Sequence, residues 1–100
     1  MKLRIALTFT ALALAAGSAY AKDLTTTEIA DLVKAGTILS QDKLDAAALA
    51  EYPGGTIEEG EIEKHRRGYV YEVEVIAANG DEWDLDIDAT NGKVLKKDQD

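Results

Sequence analysis

The stretch "GYVYEVEVIAANGDEWDLDI", residues 68–87, decides the fold. Tyr69, Tyr71, Val73 and Val75 alternate with Glu72 and Glu74, and Trp83, Leu85 and Ile87 alternate with Asp84 and Asp86. A period of two is that of a half-buried strand, apolar on one face and polar on the other. Between the runs stands Ala78-Asn79-Gly80, and Asn-Gly ordinarily marks a two-residue hairpin. Parity argues against that loop here, because it would set odd residues opposite even ones and send Val75 and Trp83 to opposite faces. A three-residue loop with Gly80 as a left-handed bulge pairs Val75 with Trp83, Val73 with Leu85 and Tyr71 with Ile87, uniting the apolar residues.

The same arithmetic extends upstream across "HRRG", residues 65–68. It pairs Ile62 with Tyr71 and Gly60 with Val73, although Gly60 stands where a branched apolar residue is expected and leaves the packing of that first strand open. Downstream, the turn "DATNGK" leads into a last short strand, Val94 to Lys97. Before the strands, "ALAEYPGGTI", residues 48–57, ends a helix: Pro53 biases Tyr52 out of helical backbone, and Gly54 and Gly55 let the chain reverse. That helix runs from Gln41 to Glu51, with Ser40 as its cap and Leu44, Ala47 and Ala48 facing the core. An earlier helix, Thr25 to Ala35, opens on Thr25 and Glu28 at capping-box spacing, carries Ile29, Leu32 and Val33 as a stripe, and stops at Gly36. The expected architecture is α+β: two short N-terminal helices packed on one face of a three- to four-stranded antiparallel β-meander.

The N-terminal 21 residues, "MKLRIALTFTALALAAGSAYA", have a basic start, a short apolar run and small residues at Ala19 and Ala21, the pattern of a secretory signal cleaved after Ala21. The expected organisation is therefore a signal peptide, residues 1–21, and one exported domain, residues 22–100, periplasmic or secreted. Loss of Lys2 and Arg4 leaves nine basic against 19 acidic residues, a net charge of −10. Such a chain is repelled by nucleic acid and by anionic membrane, and nothing after residue 21 is apolar for long enough to insert in a bilayer. It has no cysteine, so its stability has to come from packing alone.

In their order and spacing, the helix running into "YPGGTI", the acidic strand, "GYVYEVEV", the "NGDEWDLDI" hairpin and the closing "DATNGKVL" resemble the PepSY domain family, over Gln41 to Lys97. The resemblance implies an α+β module without catalysis, found in the propeptides of thermolysin-like proteases, alone in exported proteins and in sensors, and proposed to inhibit or regulate peptidases. With no protease following in this chain, inhibition would act on a separate exported or envelope protein.

The derived register sets Glu61, Glu72 and Asp86 in one outward row and Glu59, Glu74 and Asp84 in the next. Like charges directly opposed destabilise a sheet by roughly 0.2–1 kcal/mol per pair. Three accounts offer themselves: a hard cation held by Glu72, Glu74, Asp84 and Asp86, a basic partner surface meeting Glu61, Glu72, Glu74, Asp84 and Asp86, or plain solubility with screening by Lys96 or Lys97. Residues 84–95 have acids where a calcium loop starts, but Ala89 and Leu95 occupy the positions that need glycine and glutamate. His65, beside Arg66 and Arg67, reads as a solvated turn residue, and Tyr69, Tyr71 and Trp83 read as core. No nucleophile elbow, phosphate loop, zinc spacing or cofactor motif is present, so the expectation is a non-enzymatic binding module with neither catalytic residues nor cofactor. The alternative is a cation-binding or sensor-input protein using the acidic face.

Overall fold

The computed structural model describes residues 21–100. The elements run β1 (Ala21–Asp23), α1 (Thr26–Lys34), α2 (Gln41–Glu51), β2 (Thr56–His65), β3 (Gly68–Ile76), β4 (Glu82–Asp88) and β5 (Val94–Gln99). The strands form one antiparallel sheet in the order β1-β2-β3-β4-β5. The α+β class stands, but the sheet has five strands where three to four were expected. The addition is β1, three residues with no alternation to announce them, held by pairing Ala21 with His65 and Asp23 with Glu63. The predicted signal segment lies outside the described residues except for Ala21, which is in β1.

The β3–β4 hairpin has the register that parity demanded. Val75 pairs with Trp83, Val73 with Leu85 and Tyr71 with Ile87. The Ala77 amide donates to the Asp81 carbonyl at 2.8 Å, and Gly80, at φ 92°, makes the left-handed step between them. Across the Arg66–Arg67 turn, Ile62 meets Tyr71 and Gly60 meets Val73. A bulge between Ile57 and Glu59 shifts the far end of β2 by one residue, which alternation alone did not disclose.

Ile62, Tyr71, Val73, Val75, Leu85 and Ile87 are buried on the covered face, with Leu44 and Ala48 of α2 above them. The Ser40 side chain accepts from the Lys43 amide at the start of α2, and Tyr52, at φ −136°, ends it before Pro53 as expected. The capping box of α1 is present, with the Glu28 amide and the Thr25 hydroxyl 3.1 Å apart and the Thr25 amide donating to Glu28 at 2.8 Å. Helix α1 is peripheral, however: Ile29, Leu32 and Val33 are half-buried at the rim of the core, and no residue of α1 is fully buried.

Gly60 is the key to how α2 is seated. A Cβ there would lie 2.6 Å from the Tyr71 hydroxyl oxygen and 2.7 Å from its Cε1, so the Tyr71 ring occupies the space a side chain would need. The ring leans across the glycine to reach α2, where its hydroxyl donates to Asp45 Oδ1 and accepts from Gln41 Nε2 at 2.8 Å. The apparent defect in β2 is thus filled from β3, and the Tyr71 hydroxyl is satisfied by the helix, whereas the buried Tyr52 hydroxyl has no hydrogen-bond partner among the described residues. Burial first, and then the Asp45 carboxylate, push the Tyr71 phenol well above its ordinary range. Trp83 is half-buried and stacks on Tyr52 with ring centroids 5.2 Å apart, and Tyr69 is half-buried against the core.

Candidate functional site

Because α2 covers one face of the sheet, the odd residues of β2 from Glu59 onward and the even residues of β3 and β4 point away from it. Apart from His65, Gly68, Val70 and Ile76, these are acids. Glu61, Glu72 and Asp86 stand in direct register, continued by Lys96 of β5, and Glu59, Glu74 and Asp84 form the next row, continued by Asp98. Asp84, Asp86 and Asp88 belong to a continuous strand, so alternation and not a calcium loop accounts for them. The rows line an open trough of about 570 Å³. Within the cation quartet, Glu72 faces Asp86 and Glu74 faces Asp84. All five candidate partner contacts are on this surface.

Crowding of like charges in partial burial raises the proton affinity of the face. Glu61 is pushed up to about 7, chiefly by a hydrogen bond shared with Glu63, with desolvation and the charge of Asp23 adding to it. Burial raises Glu72 against the opposing pull of a hydrogen bond with Glu63, and the charges of Asp86, Glu61 and Asp23 add to the rise. Burial also raises Asp86, against the opposing pull of Lys96 and His65. The face is therefore electrostatically stressed at neutral pH, the condition that a bound positive charge relieves.

The sequence reading of His65 as a solvated turn residue is overturned. His65 is the last residue of β2, paired with Gly68 on one side and Ala21 on the other, and its half-buried ring lies over the acidic face. Its Nε2 is 3.1 Å from Glu63 Oε1 and 3.5 Å from Glu72 Oε2. The signal that would have found it was already in the alternation: 59, 61, 63 and 65 share one parity, and the strand simply runs two residues further than its acids do. Arg66 and Arg67 alone form the exposed tip of the turn. Glu63 and Asp23 were missed with it, and Glu58 joins Glu74 and Glu82 through the bulge, their carboxylate oxygens lying within 4.8 Å of one another.

The domain is thus an antiparallel sheet with two helices on one side and a carboxylate-lined trough on the other. The family described as peptidase propeptide and YPEB domain, PepSY, matches residues 38–98, and the chain belongs to it. No curated protein and no solved structure matches the chain. PepSY domains are typically propeptide or regulatory modules, not catalysts. Among the described residues no helix is long and apolar enough to cross a membrane.

Proposed function

We propose that this protein is an exported, non-enzymatic regulatory module that docks through its acidic outer face on a separate exported or envelope protein, a peptidase being the partner that the family favours. The observation that carries the reading is the pair of carboxylate rows, Glu61–Glu72–Asp86 and Glu59–Glu74–Asp84, in direct register over an open trough. A surface that stores repulsion in the free state releases it on meeting a basic patch, which gives fast, salt-sensitive association. The segment 1–21 supplies the export signal in this account, and residues 22–100 the binding domain.

The test is inhibition of purified exported peptidases, beginning with a thermolysin-like enzyme, by the wild-type protein and by a Glu72→Gln/Asp84→Asn variant. The expected result is inhibition that weakens several-fold in the variant and in high salt. Inhibition indifferent to both changes, or none across the exported peptidases, overturns the proposal.

A further inference from the structure

His65, which the sequence pattern suggested was a solvated turn residue, puts the chain's single imidazole on the acidic face. His65 Nε2 sits 3.1 Å from a Glu63 oxygen and 3.5 Å from a Glu72 oxygen, and the three donor atoms all lie within 4.8 Å of one another. First-row divalent ions bind imidazole nitrogen and carboxylate oxygen at about 2.0–2.2 Å, which places neighbouring donors of a tetrahedral or octahedral shell roughly 2.9–3.5 Å apart. Both measured separations fall in that interval. The donors come from adjacent strands, Glu63 and His65 from β2 and Glu72 from β3, so strand pairing brings their backbone positions together before any ion arrives.

We propose that Glu63, His65 and Glu72 form a binding site for a divalent transition ion of the zinc class. The class follows from the donors. Calcium takes six to eight oxygens and magnesium prefers oxygen and water, so neither is selected by imidazole, whereas zinc, copper and nickel are. Three protein donors leave room for water or for a group from outside. Glu63 also belongs to a second group, with Asp23 and Glu61, so an ion held by Glu63 lies beside β1, and its charge ties that short edge strand to β2. The site shares Glu72 with the Glu72, Glu74, Asp84 and Asp86 quartet but differs from it in its imidazole donor, and it does not depend on the docking reading.

The alternative is that His65 is only an ion-pair partner of the two carboxylates, and the chain's single histidine makes the distinction direct. Zinc chloride is titrated into the purified, chelator-treated protein while calorimetry and the His65 ring signals in NMR are followed. The expected result is one saturable site whose occupancy shifts the His65 ring, survives a 100-fold excess of calcium, and increases hydrogen-exchange protection at Lys22 and Asp23. His65→Gln and Glu72→Gln should each weaken binding at least tenfold, while Asp31→Asn, exposed on α1 away from this face, changes it less than threefold; unchanged backbone spectra show that the variants fold. Zinc binding that persists in His65→Gln, is displaced by calcium, or leaves the ring signals in place overturns the proposal, as does the absence of saturable binding.

Discussion

Gly60→Ala should damage this protein although alanine is the better strand residue. The new Cβ would lie 2.6–2.8 Å from three atoms of the Tyr71 side chain, against about 3.5–4.0 Å for ordinary contact, so the ring has to retreat by about 1 Å. Overpacking of this kind costs about 1–3 kcal/mol. The retreat also breaks the bonds from the Tyr71 hydroxyl to Asp45 and Gln41, each contributing about 1 kcal/mol. Removing glycine's backbone freedom returns only about 0.5–1 kcal/mol. The expected net loss is about 2–4.5 kcal/mol, a fall in Tm of about 8–35 °C for a domain of this size. Urea and thermal unfolding followed by Trp83 fluorescence read it directly, because Trp83 stacks on Tyr52 at the end of α2. The cycle is completed in a Tyr71→Leu background, where the clash is gone and Gly60→Ala should be neutral or stabilising by up to about 1 kcal/mol. Additive effects in the two backgrounds would refute the claim that Tyr71 fills the space above Gly60.

Further outcomes follow from the same geometry. Ser40→Ala removes the cap of α2 and should cost about 1 kcal/mol, measured by urea unfolding. Glu74→Gln relieves opposition with Glu59 and Asp84 and should raise the low-salt urea midpoint modestly, by roughly 0.2–1 kcal/mol, an advantage that shrinks in high salt. Stability should rise as the solution is acidified from neutrality. Glu61, Glu72 and Asp86 have raised proton affinity in the fold, so the folded state takes up protons more readily than the unfolded chain. For Glu61 the penalty is full above about 7 and vanishes as the pH falls to its ordinary value of 4.5. Tm measured across that window should climb, and Glu61→Gln should flatten the climb.

Much of this architecture was legible in the sequence because parity is an unforgiving constraint. A one-residue slip turns every side chain of a strand to the other face, so a chain with Val75 and Trp83 both apolar left one loop length open. The acidic rows followed from that register without further assumption. What was not legible has physical reasons. Strand β1 is three residues long and is held by hydrogen bonds to β2, an interaction that leaves no periodic trace. The bulge at Glu58 looks like one more acid in an acidic run. Gly60 reads as a defect until a ring on the neighbouring strand is seen to occupy its place. His65 was misread because its sequence neighbours, Arg66 and Arg67, are not its spatial neighbours: the turn carries the arginines out to solvent while pairing keeps the histidine over Glu63 and Glu72.

In the proposed function, the face opposite the helices is the one that binds. The most direct measurement is amide chemical-shift mapping of the ¹⁵N-labelled protein with a peptidase that it inhibits, rendered inactive. The account predicts perturbations concentrated at 59, 61 and 63 of β2, 72 and 74 of β3, and 84 and 86 of β4, fading as salt is raised. Perturbations confined to α1 and α2, or to the outer edge of β5, would contradict it.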